Sequence, residues 1–395
     1  MTRNYIKIAW RNLRRNKITS IINIGGLALG ICCFFLLGTY VINELRYDRF
    51  HKNADRIVYL SFAYKAPTDA EFNEASVTPT AVVPAFKQLF PEIEDGVRLY
   101  RAGGEGQAIS VKYKEKIFNE SQLVYSDDSF FKIFSFDFIE GDPALSLKEP
   151  YSLVITESTA KRYFGNEKAF GKTLVINEKP WKITGIIKDI PPYSQIQFGL
   201  LGSYNTLSRS KEENWGSAND ISYLLLKSPD QFSEFQSKID HFIKERFSEE
   251  IAAGYEVKFP VQKLTDVRLH SNAMGGTKAI YIYLLALMAI SLLLIACINF
   301  ANLMMAKSAE RTHEIGVKKV MGALRKHVLS QFIFESFFTA AISLFIGIVA
   351  AIILMPVFNT YTGISLSLES WAGGWFISVR FGWWTSFCTI GYKTY

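Results

Sequence analysis

Cysteine is scarce in this chain of 395 residues, and its placement provides no disulfide framework. Three of the four cysteines, Cys32, Cys33 and Cys297, lie inside long apolar runs, and Cys388 lies near the carboxyl terminus. The hydrophilic segment 44–278 contains none. This placement neither requires nor excludes an oxidising compartment.

Sequence signatures of a metal site or a nucleophilic serine are also missing. The chain has no His-Glu-x-x-His pair and no Gly-x-Ser-x-Gly elbow. No cysteine lies near the five histidines in sequence, which are interpreted mostly as surface or satisfied loop residues: His51, His241, His270, His313 and His327. The acidic pairs Asp127-Asp128 and Glu249-Glu250 are interpreted as solvated helix ends rather than general acids. We therefore expect no catalytic residues, metal site or bound cofactor in this chain.

Residues 165–173, GNEKAFGKT, resemble a phosphate-binding loop but depart from it twice. Five residues separate the two glycines where the motif requires four. The motif also needs a strand before it and a helix after it, because the amino terminus of the helix binds the phosphates. Here the predicted order is helix and then strand. We interpret this stretch as a turn.

Charge is absent from three long stretches of the sequence. Residues 18–43, 279–306 and 336–368 contain no Asp, Glu, Lys or Arg. A membrane-spanning helix needs about 20 apolar residues. We therefore predict three spans, at residues 18–43, 279–306 and 331–357.

The basic residues are distributed unevenly, which predicts the topology. Residues 1–17 contain six Lys and Arg and no acid, whereas residues 44–278 contain 30 basic against 33 acidic residues. The net charge of +7 is therefore a topology signal rather than a sign of nucleic-acid binding. The positive-inside rule places residues 1–17 in the cytoplasm, as an amphipathic helix on the lipid surface. It places the hydrophilic segment 44–278 outside.

The outer segment shows the pattern of a mixed α/β domain, with short strands alternating with helices. The helices are predicted at residues 157–164, capped by Thr156, and at about 231–247. Loops are predicted near residues 101–108 and 199–220. Strands are predicted at residues 56–64, 152–156, 174–176, 181–187, 222–227 and 256–264.

A charged segment, residues 307–330, connects the second and third apolar runs. Within and just beyond it, apolar residues recur every three or four positions, which predicts one apolar helical stripe: Val317, Met321, Leu324, Val328 and Phe332. Glu314 lies four residues before Lys318, in the favourable orientation for a helical ion pair. By periodicity alone, the segment could equally be an amphipathic connector on lipid headgroups.

The pattern E-I-G-x-x-K-x-x-G-A in this segment resembles a signature of MacB-like and FtsX-like ABC transporter permeases. The stretches YDRFHKNADRIVYL and ESTAKRYFGNEKAFGKTLVINEKPWKITGIIKDIP resemble the periplasmic core domain of the same family. The resemblance implies that residues 307–330 form a coupling helix that docks on a cytoplasmic ATPase. It assigns the coupling to Arg311, Glu314, Ile315, Gly316, Lys319, Gly322 and Ala323.

The resemblance also implies a function for the whole chain. It implies a permease subunit of an ABC transporter in a bacterial inner membrane, not itself an enzyme, with ATP and Mg²⁺ held by a separate ATPase. The expected partners are that ATPase, a second permease unit (a homodimer or a fused second half), a periplasmic or outer-membrane protein, and the lipid bilayer. The expected work is export or mechanotransmission involving drug, peptide or lipoprotein substrates.

The carboxyl-terminal segment departs from the family pattern, and an alternative function is also compatible with the sequence. The family has four spans in each unit, whereas residues 358–395 carry Arg380 in an apolar stretch and are interpreted as a periplasmic loop with an incomplete or atypical fourth span, or as a truncation. The alternative function is a membrane-anchored sensor or scaffold whose outer domain binds a ligand without transport. A membrane enzyme facing outward is disfavoured by the missing catalytic motifs.

Overall fold

The structure, a computed structural model, consists of two compact units. It describes residues 11, 14, 17–103, 108–271, 273–274, 278–310, 325–364 and 366, without the side chains of residues 307–310 and 325–329. The first unit combines residues 1–45 with residues 280–395, and the second is the inserted segment 46–279.

The described helices differ sharply in length between the two units. The three longest belong to the first unit, apart from the first residue of α8. The helices are α1 (Lys17–Leu45), α2 (Val82–Leu89), α3 (Phe130–Ile133), α4 (Glu157–Phe164), α5 (Phe232–Arg246), α6 (Ser248–Ala252), α7 (Leu264–His270), α8 (Ala279–Glu310) and α9 (Arg325–Thr362). Short 3₁₀ turns lie at Tyr204–Thr206, Ser208–Lys211 and Pro229–Gln231.

Helices α1, α8 and α9 are long and apolar enough to cross a membrane. They leave large apolar side chains exposed, for example Ile21 (69%), Leu287 (62%) and Phe345 (70%). Such exposure is unfavourable in water but suits hydrocarbon, where a helix also satisfies all of its backbone hydrogen bonds internally. Among its described residues, the first unit therefore contains three helices that can span a membrane.

The second unit, which we call the outer domain, is built on one large mixed sheet. Its described strands are β1 (Ile57–Leu60), β2 (Phe62–Lys65), β3 (Asn73–Ala75), β4 (Thr78–Pro79), β5 (Ile93–Arg101), β6 (Ile109–Tyr113), β7 (Lys116–Glu120), β8 (Leu123–Ser126), β9 (Phe138–Gly141), β10 (Ser152–Thr156), β11 (Thr173–Ile176), β12 (Lys179–Ile187), β13 (Leu200–Ser203), β14 (Ala218–Leu226), β15 (Glu256–Lys258) and β16 (Val261–Lys263). The main order is β16-β1-β14-β5-β8-β13-β10-β12-β11-β6-β7. Strands β15, β2 and β3 form a separate small sheet.

Alternation along the strands gives this sheet apolar side chains on both faces. Tyr223 and Leu225 of β14 belong to a core that extends along one face, whereas Leu224 and Leu226 belong to a second core with α2 and α5. A third core, around α4 and Trp181, lies on strands farther along the sheet. Because both faces of the sheet are buried, the sequences of its central strands are nearly continuous apolar runs.

Several predicted elements are confirmed with their boundaries. Strand β10 and helix α4 occupy residues 152–156 and 157–164, as predicted. The Thr156 hydroxyl accepts a hydrogen bond from the Thr159 backbone N–H, which is the predicted cap. Gly165 follows with a φ of 62°, a conformation that glycine adopts without steric cost.

Three strand or loop predictions are wrong in detail. The strand predicted at 56–64 breaks at Ser61, where the chain leaves the large sheet for the small one. The strand predicted at 256–264 divides likewise at Pro260, because proline has no N–H to donate to a ladder. The loop predicted at 199–220 contains β13, a buried strand between β8 and β10.

Candidate functional site

The residues predicted to couple the chain to an ATPase lie outside the described residues. This applies to Arg311, Glu314, Ile315, Gly316, Lys319, Gly322 and Ala323. The described chain reaches Glu310 at the end of α8 and resumes at Arg325 in α9.

The stretch that resembles a phosphate-binding loop is a turn, as predicted. Helix α4 precedes it and strand β11 follows it. The Lys172 ammonium forms an ion pair with Glu167 and donates a hydrogen bond to the Tyr113 hydroxyl at 3.2 Å. The lysine that would contact a phosphate is thus paired with a carboxylate, and no helix amino terminus follows the turn.

The long helices make their closest contacts at two glycines. A Cβ atom on Gly347 of α9 would lie 2.8 Å from the Ala28 carbonyl oxygen of α1. A Cβ atom on Gly30 of α1 would overlap the Cβ of Ala296 in α8. Small residues at such positions let helix backbones approach closely in a membrane. Helix α1 is therefore in tight contact with both other helices within about one turn.

A network of buried and partly buried charges lies on the sheet face shared by the α2/α5 core and the α4 core. The Arg98 guanidinium donates to both carboxylate oxygens of Asp127, at 2.8 and 3.0 Å. The contact between Arg98 and Asp127 is therefore a bidentate ion pair, the strongest form of this contact. Asp127 is not a solvated helix end, so that interpretation is wrong for this residue. Glu249 and Glu250, in contrast, are exposed in the first turn of α6.

A second carboxylate continues the network. Asp220 is fully buried and accepts hydrogen bonds from the Thr80 hydroxyl at 2.7 Å and the Tyr204 hydroxyl at 3.0 Å. Its ion pair with Arg209 measures 3.2 Å. Burial raises the pKa of Asp220, and its hydrogen bonds and the nearby arginines oppose that rise. Because every charge has a partner, the network fits a structural role between the two cores.

Asp48, three residues after the end of α1, forms hydrogen bonds with the segment that follows β12. This residue is buried, and it has a φ of 55°, which is uncommon outside glycine. Its backbone N–H donates to the Tyr193 carbonyl at 2.9 Å, and its Oδ1 accepts from the Ser194 hydroxyl and the Gln195 N–H. Burial raises the pKa of Asp48 to about 6.

His51 follows three residues later and is also buried. Its Nδ1 accepts a hydrogen bond from the Ser135 N–H at 3.1 Å, and its ring lies among Phe50, Phe134 and Phe136. Burial lowers the pKa of His51 to about 4. His51 is thus a core residue rather than a surface histidine. Two buried ionisable groups with opposite pKa shifts lie at the start of the outer domain.

The outer domain also contains a cavity of about 350 Å³, and Tyr47, the residue before Asp48, lines part of it. Two arginines line it, Arg101 at the end of β5 and Arg268 in α7. The Arg268 guanidinium lies 4.5 Å from the centroid of the Tyr47 ring. Among the described residues, no group of three or more His, Cys, Asp or Glu side chains could hold a metal ion.

These observations define a class of protein. The part of the chain that the structure describes has three apolar helices long enough to span a membrane, and a large mixed α/β domain is inserted between the first and second of them. The chain is therefore a membrane protein with a large extracytoplasmic domain.

Comparison with known proteins agrees with this class. The family model of the MacB-like periplasmic core domain matches residues 20–242, and that of the FtsX-like permease C-terminal domain matches residues 286–392. The uncharacterized ABC transporter permease MJ1507 of Methanocaldococcus jannaschii is 24% identical over 89% of this chain and 84% of its own length. The chain belongs to the family of MacB-like and FtsX-like ABC transporter permeases.

Other relatives are longer than the matched region. The macrolide export ATP-binding/permease protein MacB of Escherichia coli is 25% identical over 55% of this chain, which spans 33% of that protein. The uncharacterized permease YknZ of Bacillus subtilis is 25% identical over 49% of this chain and 46% of its own length. The periplasmic region of MacB from Actinobacillus actinomycetemcomitans superposes with a TM-score of 0.37 at 15% identity, covering 54% of this chain and 90% of that one. The low TM-score leaves the family assignment to the sequence matches.

Proposed function

We propose that this chain is a permease subunit that couples ATP hydrolysis by a separate cytoplasmic ATPase to movement of its outer domain. The observation that carries the proposal is the family membership over residues 20–242 and 286–392. The coupling pattern around Glu314 and Gly316 supports it, since this pattern lies between the second and third apolar helices. The chain itself is a membrane subunit without catalysis, and ATP and Mg²⁺ bind to the ATPase.

The helix packing supports a mechanical mode of action. Residues 307–330 extend from the last turn of α8 to the first turns of α9, and Gly347 of α9 contacts α1 closely. The outer domain begins at Arg46, directly after α1, and ends where α8 begins. A push on the connecting segment would therefore reach α1 through its close packing with α9. Packed interfaces favour discrete shifts over continuous deformation, which suits such transmission.

The proposed assembly contains two permease units and two ATPases in a bacterial inner membrane. The second unit is another copy of this chain or a fused second half, and a periplasmic or outer-membrane protein engages the outer domain. The amino terminus and residues 307–330 face the cytoplasm. The substrates proposed are drugs, peptides or lipoproteins, which the assembly exports or acts on mechanically.

Charge at the coupling segment should determine how the ATPase responds to the permease. Replacing Glu314 with lysine removes the ion pair predicted with Lys318 and reverses the charge that a docked ATPase meets. We expect ATP turnover by the co-purified ATPase to lose its dependence on the permease, falling about tenfold or more toward the rate of the ATPase alone. Replacing Gly316 with a bulky residue should act in the same direction. ATP turnover is measured with the full chain in nanodiscs.

The matched control is Glu250→Lys, the same substitution at an exposed position of the outer domain. It should leave ATP turnover and ATPase binding unchanged. Normal ATPase binding and normal turnover in both coupling variants would contradict the proposal. If no ATPase co-purifies with the wild-type chain either, the sensor or scaffold function becomes the better explanation.

A further inference from the structure

The cavity in the outer domain has an apolar floor formed by the central sheet. Leu99 of β5, Val124 of β8 and Tyr223 of β14 line it and belong to one core on the same sheet face. Ile221 of β14 lies directly opposite Leu99 in the strand pairing and completes the floor. Leu99, Val124 and Tyr223 are at most 4% exposed, so they form the inner wall of the cavity rather than an open apolar surface.

The rim of the cavity is polar and carries positive charge. Arg101 lies opposite Val124 in the pairing of β5 with β8, so it stands at the edge of the floor. Ser194, Gln195 and Gln197 form a wall from the segment after β12. The side-chain oxygen of Gln195 is buried and has no hydrogen-bond partner in the described structure. This oxygen only accepts hydrogen bonds, so it can pair with water or another donor but not with a carboxylate.

The charges around the cavity do not balance. Of the described residues that line it, two carry guanidinium groups and none carries a carboxylate. Asp48 interacts electrostatically with Arg268, and its Oδ1 accepts hydrogen bonds from the Ser194 hydroxyl and the Gln195 N–H. Arg268 is therefore partly neutralised and stacks on Tyr47. Arg101 is exposed and forms no ion pair with a described acidic side chain, so it is the main positive group available to a ligand.

We propose that this cavity binds a small carboxylate attached to an apolar or aromatic group, with the carboxylate at Arg101 and the apolar part on the floor of Leu99, Val124 and Tyr223. A guanidinium matches a carboxylate with two parallel hydrogen bonds, which a lysine cannot reproduce. The volume of about 350 Å³ is at the small end of ligand sites. At roughly 30 Å³ for each water-sized group, the ligand has about a dozen non-hydrogen atoms.

This binding site stands independently of the proposed coupling to an ATPase. Its lining residues all belong to the outer domain, and none lies in residues 307–330. Loss of ATPase coupling in a Glu314 variant would leave ligand binding intact. Failure of ligand binding would likewise leave the coupling proposal untouched.

The test uses 3-phenylpropionate and its uncharged analogue 3-phenylpropionamide as probes of matched size. Binding to the full chain in nanodiscs of zwitterionic lipid is measured by saturation-transfer NMR, with empty nanodiscs subtracted. We expect the carboxylate to bind about tenfold more tightly than the amide, because a hydrogen bond to a charged group exceeds a neutral one. Arg101→Gln should reduce carboxylate affinity to that of the amide, and Arg101→Lys should retain part of the preference.

The matched control is Lys182→Gln, which removes one exposed positive charge elsewhere on the outer domain and should leave both affinities unchanged. The urea midpoint of each variant checks that it is folded. Equal binding of the two probes to the wild-type chain would overturn the proposal. So would carboxylate binding that is unchanged in Arg101→Gln, or absent from the wild-type chain at millimolar concentration.

Discussion

Replacing Gly347 with leucine is expected to open the packing of α9 against α1. A Cβ atom at this position would meet the Ala28 carbonyl oxygen and the Ile31 side chain at 2.8 Å, and a backbone oxygen cannot move aside without shifting the helix. Overpacking of this kind costs about 2 to 3 kcal/mol. Cys32 of α1 reports the effect, because it is 2% exposed in the core that α1 forms with α9. Its rate of reaction with a maleimide should rise about 30- to 150-fold.

The comparison needs a chain in which Cys32 is the sole cysteine, with serine at the other three positions. Gly26→Leu provides the matched control, because a Cβ atom on Gly26 would meet nothing within 4 Å. The same leucine in the same bundle should therefore leave the thiol protected. Equal labelling rates for the two leucine variants would show that close approach at Gly347 does not hold the helices together.

Asp48 and His51 are expected to make opposite contributions to the pH dependence of outer-domain stability. The pKa of Asp48 is raised to about 6 in the folded state, so its carboxylate costs about 3 kcal/mol at neutral pH, and this cost is relieved as pH falls. The pKa of His51 is lowered to about 4, so the folded state loses stability as pH falls below about 6.5. From pH 7.5 to pH 5, the two contributions largely cancel.

Single substitutions should reveal each contribution. On acidification from pH 7.5 to pH 5, we expect Asp48→Asn to lose about 2 kcal/mol of stability relative to its value at pH 7.5, and His51→Asn to gain about 1 kcal/mol. Asparagine tolerates the positive φ at position 48. At position 51, its side-chain oxygen can accept the Ser135 N–H. The measurement is the urea midpoint of the full chain in nanodiscs at both pH values, followed by the fluorescence of the outer-domain tryptophans, including the buried Trp181.

Asp128→Asn is the control for this pair, because Asp128 is exposed, whereas its neighbour Asp127 is partly buried. Its pH response should equal that of the wild-type chain. Parallel pH profiles for the wild type and both test variants would mean that neither buried group changes its proton affinity on folding.

Elements whose sequence signals are local could be predicted from the sequence alone. Long stretches without charge predict α1, α8 and α9, because a helix in lipid needs only length and apolarity. Helix α4 is bounded by Thr156 and Gly165, and these residues determine its ends through their own backbone and side-chain chemistry.

Features that depend on distant residues could not be predicted in this way. Gly347 contacts Ala28 across more than 300 positions of sequence, and only the packed bundle distinguishes it from Gly26. Arg98 and Asp127 are paired because β5 lies beside β8, an arrangement that no local pattern encodes. The cavity is lined by three strands, by α7 and by segments far apart in the chain, so no local sequence pattern identifies Arg101 or Gln195 as lining residues.

The central claim is that residues 307–330 and the outer domain lie on opposite sides of one membrane. Single cysteines at Lys161, which is exposed on α4, and at Lys319 test it in a chain whose native cysteines are replaced with serine. The account predicts that a membrane-impermeant maleimide added to intact cells labels position 161, and labels position 319 only after the membrane is permeabilised. Labelling of position 319 from outside, with position 161 protected until permeabilisation, would contradict it.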